Sequence, residues 1–235
     1  MARASVPPFL SRLLIQRFTS SNPSAAYLAR VSRVWVDDST GESADLGEVI
    51  KAILLDPEVL SGGDRHQFHG KVREPIIRYA SLARAFNLVS ESGKYSTNQP
   101  LLNDVFGQFP MLSPSVFNFY LPDFSPEGEF REAGMFSPEL QLASLSQMLR
   151  SDSRFAASVE ESGVSGRFDF TRELALVSEP SALVSRVDLL MTGGRLKAET
   201  KLAILNAVQS ELTDLEKVRT AIYLVSQSME CIVLN

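Results

Sequence analysis

The sequence predicts an all-α protein, an irregular multi-helix bundle with a long ordered loop segment rich in proline and phenylalanine. Three observations carry that expectation. Apolar residues recur at i, i+3 and i+4 through most of the 235 residues. Capping and stop residues bracket those stretches at chemically sensible places. Strict apolar–polar alternation is weak throughout, and no repeat of solenoid length is visible.

Each element has its own signature. Pro7 and Pro8 precede Phe9, Leu10, Leu13, Leu14 and Phe18, one stripe of a first helix that stops in Thr19-Ser20-Ser21. Asn22 is the expected N-cap of a second helix, with Pro23 at its first position and Tyr27, Leu28, Val31, Val34 and Trp35 inward. Asp38–Ser43 reads as a loop. Asp45 and Glu48 make a capping box for a third helix, whose stripe is Val49, Ile50, Ile53 and Leu54 and whose end is Asp56-Pro57. After the glycine-rich Ser61–Asp64, Pro75 opens a helix behind Glu74 with Ile76, Ile77, Tyr79, Leu82, Ala83 and Phe86 inward.

From Ser90 to Pro138 the pattern changes. Prolines at 100, 110, 114, 122, 126 and 138 alternate with phenylalanines and Tyr120. Proline excludes long helices here, while the aromatics are too many for a solvated linker. A short helix near Leu101–Phe106 is expected within this segment, which lies across the helical body. Helices resume at Ser137-Pro138, with Leu142, Leu145, Met148 and Leu149 buried, and again near Thr171–Val177. Pro180 opens a helix to Met191 that Gly193 stops in the left-handed region. Ala198–Leu212 and Leu215–Ser226 follow, the latter behind a Thr213/Glu216 capping box, and Met229–Leu234 packs as a terminal turn. The whole reads as a single α-helical domain, residues 1–235, containing the irregular segment 90–138.

Composition narrows the function. Hydrophobic residues at 44% and charged residues at 22% are ordinary globular values, which argues against bulk disorder. The net charge is −5 and the basic residues are scattered, so the electrostatic footprint of a nucleic-acid partner is missing. Apolar runs fall far short of a membrane span, and the first residues lack the apolar core of a signal peptide. The single Cys231 sits in an apolar run and reads as a buried, inert thiol.

Five blocks resemble a family signature. They are Pro8–Phe18 followed by Ser21-Asn22-Pro23-Ser24; Ala52-Ile53-Leu54-Leu55-Asp56-Pro57-Glu58; Gly70-Lys71-Val72-Arg73-Glu74-Pro75; Ser113–Tyr120 with Pro122; and Ser137-Pro138-Glu139-Leu140-Gln141. Their order is that of the bacterial family catalogued as domain of unknown function 1800. The chain resembles its C-terminal half over about residues 6–142, with a weaker echo at Ala221–Ser228. Members are typically about twice this length, so a natural short form, a fragment and a piece of a larger assembly are all open. Members often carry export signals and are often encoded beside a second uncharacterised family, domain of unknown function 1501. The resemblance therefore implies an extracytoplasmic setting and a protein partner, and it carries over no catalytic residue.

Candidate site residues have competing readings. His66 and His69, with Asp64 nearby, have metal-ligand spacing, but in a glycine-rich loop with no evident third ligand a solvated loop is favoured, and no metal or cofactor is expected. Lys71, Arg73 and Glu74 concentrate charge before a helix. Arg73 is suited to grip a carboxylate or phosphate, while the structural alternative has Glu74 favouring the helix start and Arg73 pairing with an acid elsewhere. Ser115, Asn118, Phe119 and Tyr120 offer a hydroxyl, an amide and two rings. A nucleophile lacks its elbow motif here, an aromatic groove for a glycan or peptide is the middle reading, and aromatic anchoring of irregular backbone is favoured. Glu139 and Gln141 fall in a first helical turn, where a carboxylate is sufficiently explained by the dipole.

Two functions follow as expectations. The first is a helical binding or scaffold module that works with a protein partner, or by self-association, in an extracytoplasmic assembly. The alternative is a hydrolase of an extracellular polymer, with its groove at residues 115–141 and acids drawn from Asp123, Glu127, Glu129 and Glu139.

Overall fold

The computed structural model describes residues 5–36, 45–61, 69–90, 93, 106–116, 118–142, 167–210 and 212–234. The fold is all-α, as the periodicity requires. Among the described residues the only sheet is a two-stranded ladder of Lys71–Val72 (β1) and Val233–Leu234 (β2). The chain divides into two compact units.

The first unit gathers residues 1–72, 120–141 and 234–235. Its helices are α1 (Val6–Phe18), α2 (Ala25–Val34), α3 (Leu46–Leu54), α4 (Pro57–Leu60) and α6 (Glu129–Glu132), with a 3-10 turn at Pro138–Gln141. Helices α1, α2 and α3 pack around Ile15, Tyr27, Val31, Val49 and Ile53, all fully buried.

Several sequence expectations change here. The apolar stripe of α1 is only partly its buried face: Leu14 packs half-buried against the core, but Phe9 is 53% exposed and Phe18 41%, whereas Pro7, Ser11, Ile15 and Gln16 are buried. A small Ser11 one turn before Ile15 allows close helix packing, and Gln16 supplies the hydrogen bonds that irregular chain against α1 needs. Asn22 is not the N-cap of α2. Ser24 takes that role, its hydroxyl accepting from the Tyr27 amide at 3.0 Å, because Asn22 is engaged elsewhere. Asp56-Pro57 does not simply end α3 but also starts α4, since the Asp56 carboxylate accepts from the Glu58 amide at 2.9 Å. The Asp45 cap of α3 forms as expected, while the Glu48 side chain reaches forward to Lys51 at 3.3 Å.

The second unit gathers residues 73–119 and 142–233. It holds α5 (Pro75–Ala85), α7 (Thr171–Leu174), α8 (Pro180–Thr192), α9 (Ala198–Val208), α10 (Asp214–Gln227) and α11 (Met229–Ile232). Helix α10 packs against both α8 and α9, and the core runs from Leu82 and Phe86 through Leu183, Val187 and Ile204 to Ile222 and Cys231. The Gly193 stop has φ +75°, and the Thr213/Glu216 capping box is complete on both sides. Ile77, expected inward on α5, is 45% exposed. Arg78 turns inward instead, because its Nη2 donates to the Ser226 carbonyl at 2.7 Å, near the end of α10. Helix α9 ends at Val208, short of Leu212, and α7 stops at Leu174 before a run of turns.

The aromatic–proline segment does not belong to one unit. Phe106 is buried in the second core, its ring 5.4 Å from Tyr79, while the part from Tyr120 onward belongs to the first. The expected helix at Leu101–Phe106 lies outside the described residues apart from Phe106. So do Leu145, Met148 and Leu149 of the helix expected after Ser137; the described part of that stretch is the 3-10 turn.

Candidate functional site

In the first unit, α1 ends with unpaired carbonyls, as every helix does. Lys71 reaches into that end. Its ammonium donates to the Gln16 carbonyl at 2.8 Å and the Arg17 carbonyl at 3.0 Å, and it lies 2.8 Å from Glu139 Oε1. An ammonium has three N–H donors, and three acceptors surround this one. The Lys71 and Glu139 side chains are only 8% and 2% exposed. The Ser21 hydroxyl donates to the other Glu139 oxygen at 3.5 Å, and Ser20 brackets Gly70, accepting from its amide at 3.1 Å. A cation at the negative end of the α1 dipole, neutralised by a buried carboxylate, thus joins three stretches of sequence.

The same seam uses other residues of the signature blocks. Asn22 reads the backbone of Phe136 from both sides: its Nδ2 donates to the Phe136 carbonyl and its Oδ1 accepts from the Phe136 amide, each at 2.8 Å. Gln16 Nε2 donates to the carbonyls of Ser21 and Pro122, both at 3.0 Å. Arg17 donates to the Tyr120 hydroxyl at 2.9 Å, and Gln141 Oε1 accepts from the Leu121 amide at 2.7 Å. The Arg12 guanidinium sits 4.6 Å over the Phe136 ring. Nearby, Arg30 grips Asp56 through two bonds of 2.7 Å, and Glu58 accepts from the amide and hydroxyl of Ser24. In this core the Tyr27 phenol, buried and donating to the Ile53 carbonyl at 2.8 Å, is pushed up to about 12 by burial.

Of the candidate residues, Lys71, Tyr120, Glu139 and Gln141 therefore meet in the first unit. Glu139 lies in the first turn of the 3-10 helix, as its position suggested, and is also the counter-ion of Lys71. Asp123, Glu127 and Glu129 are exposed, and Glu127 lies 3.6 Å from Arg131. The chemistry at Lys71–Glu139 is that of a clamp, with both charges engaged in holding chain segments together.

Arg73, Glu74, Ser115, Asn118 and Phe119 belong to the second unit. Among the described residues Arg73 pairs with no acid, contrary to the structural expectation. Its guanidinium donates to the carbonyls of Met191 at 3.3 Å and Cys231 at 3.2 Å, the ends of α8 and α11. Glu74 is 5% exposed and accepts from Gln108 Nε2. Ser115 and Asn118 close an exposed turn, the Asn118 amide donating to the Ser115 carbonyl at 3.2 Å. Asn118 holds φ +78° and Met111 φ +68°, a left-handed backbone unusual for non-glycine residues. Cys231 is buried, and burial pushes its thiol up, in keeping with an inert role. His69 is half-buried, His66 lies outside the described residues, and no metal-holding cluster exists among the described residues. No helix among the described residues is long and apolar enough to cross a membrane.

Sequence reasoning missed Arg12, Gln16, Ser21 and Asn22 as site residues. Their signal was present, since all four lie in the quoted signature blocks, but a polar residue that bonds distant backbone has no local pattern.

No curated protein and no solved structure matches the chain. A family model does, and it extends the resemblance from residues 6–142 to nearly the whole length. Over residues 1–233 the chain matches Protein of unknown function (DUF1800), and it belongs to that family.

Proposed function

We propose that this protein is a helical binding or scaffold module that works with a protein partner in an extracytoplasmic assembly. One observation supports it most: in the second unit, Met111 is 99% exposed, Leu112 53% and Val116 94%. They stand on a loop stiffened by Pro110 and Pro114, and from Val105 to Pro122 no residue is charged. Water is a poor solvent for such a tip, and apolar side chains gathered on an exposed loop mark an interaction surface. The left-handed backbone at Met111 and Asn118 adds local strain, which accumulates at functional positions. The signature side chains bind within their own units, which fits a scaffold that holds such a loop in place.

The test is a Met111→Glu/Val116→Glu double variant, compared with wild type by size-exclusion chromatography of cell-envelope extracts. Wild type should elute in a complex that the variant leaves, while the circular dichroism of the two is the same. A wild-type chain that elutes alone, or a variant that keeps its complex, would sink this reading.

A further inference from the structure

The tip of the exposed loop in the second unit is built on a turn. The Leu112 amide donates to the Phe109 carbonyl at 3.1 Å, with Pro110 and Met111 at the centre of the turn. Proline followed by a residue of positive φ is the type II pattern, whose third position is normally glycine because a side chain there is strained. Met111 holds that position at φ +68° and is 99% exposed. The chain thus accepts backbone strain to present a side chain that packs against nothing, and strain of that kind gathers at functional positions.

An apolar tip needs no sulfur, since leucine offers similar apolar surface. What the thioether adds is chemical. Its sulfur lone pair attacks one oxygen of hydrogen peroxide, the O–O bond breaks, an S–O bond forms and the second oxygen leaves as water. Sulfur gives up two electrons and the peroxide takes them. Access to the sulfur governs which methionine reacts. Among the described residues the others are Met229, 65% exposed, Met135, half-buried, and Met191, 4% exposed. Oxidation of Met191 would force a polar group into the second core, whereas at Met111 it disturbs no packing. Met111 is therefore where the reaction is fastest and leaves the fold intact.

We propose that Met111 is a reversible oxidation site, converted to its sulfoxide by peroxide and restored by a thiol-dependent methionine sulfoxide reductase. In the return step two thiols join as a disulfide and the sulfoxide oxygen leaves as water. The sulfoxide is polar and accepts hydrogen bonds, so it turns the uncharged tip beside Leu112 and Val116 from apolar to wet. One consequence rests on the binding role proposed above for this loop: oxidation releases the partner, and repair brings it back.

The test treats the purified full chain with rising doses of hydrogen peroxide and maps the peptides by mass. Met111 should gain one oxygen at a lower dose than Met229, Met135 or Met191. At the dose that modifies Met111 alone, the chain should leave a hydrophobic-interaction column earlier, with its circular dichroism unchanged. Reductase with dithiothreitol should return it to its first position, and Met111→Leu should elute at one position before and after the same dose. Mixed with cell-envelope extract, the oxidised chain should drop out of the complex that the untreated chain forms. Oxidation of Met229 ahead of Met111, an elution position that peroxide does not move, or a complex that survives the oxidation of Met111 would overturn the proposal. An untreated chain that forms no complex would instead sink the binding role of the loop, while the mass map and the column still decide the oxidation site.

Discussion

Lys71 Nζ and Glu139 Oε1 stand 2.8 Å apart in the interior of the first unit, although 68 positions separate them in the chain. Among the described residues neither has a second ion pair, so each leaves the other's charge stranded when removed. Lys71→Met should cost about 3–5 kcal/mol in urea unfolding, because it buries an unpaired carboxylate and uncaps α1. The double change Lys71→Met/Glu139→Leu should cost less than the sum of the singles. Additive costs would show that the pair is not coupled.

Asn22 is a second clasp, and its chemistry is directional. Asn22→Ala should destabilise by about 1–3 kcal/mol, since it strands the Phe136 amide and carbonyl together. Asn22→Asp keeps the acceptor but sets a carboxylate oxygen against the Phe136 carbonyl, so it should be at least as damaging. An Asp variant with wild-type stability would refute the two-sided reading.

The raised phenol of Tyr27 gives stability an alkaline limit. In the unfolded chain a tyrosine loses its proton near pH ~10; in the fold it holds on until about 12. Between those values the unfolded state binds fewer protons, so stability is present in full below the lower one and falls as pH rises towards the upper one. The loss is at most about 3 kcal/mol at 1.36 kcal/mol per pH unit. Tyr27→Phe should lack this part of the slope while being less stable at neutral pH, because the Ile53 carbonyl loses its donor. Identical pH slopes for the two proteins would remove Tyr27 as the cause.

Cys231 is 1% exposed and its thiol is pushed up by burial. A thiol reagent such as dithionitrobenzoate should therefore react with the native protein far more slowly than with the urea-unfolded chain. Equal rates would show that α11 opens readily in the native state.

The loop variants of Met111 and Val116 carry the opposite expectation. Their side chains bury almost nothing, so Met111→Glu and Val116→Glu should each leave unfolding stability within about 0.5 kcal/mol of wild type. A large loss would mean that these side chains support the fold, which would withdraw them from any binding role.

Much of the secondary structure was legible because its determinants are local. Pro75, Pro180, Asp45, Thr213 and Gly193 act on backbone within a turn of themselves, and each does what its type predicts. The misreadings share one cause. Asn22 has ideal capping chemistry, yet the structure spends it on Phe136, and Ser24 caps in its place. The stripe of α1 was read from hydrophobicity, but its inward face is chosen by α2, α3 and the irregular chain it must bond.

By itself the sequence determined the helical class, several of the helix starts and stops, and the family blocks. All of these follow from residue type and spacing within a few positions. Only the tertiary structure decided that Lys71 and Glu139 pair, that Arg73 caps helix ends instead of gripping an acid, and that the aromatic segment is shared between two units. The physical reason is that a buried charge or amide is satisfied by whichever group the fold brings near. That partner stands tens of residues away, beyond the reach of any local pattern.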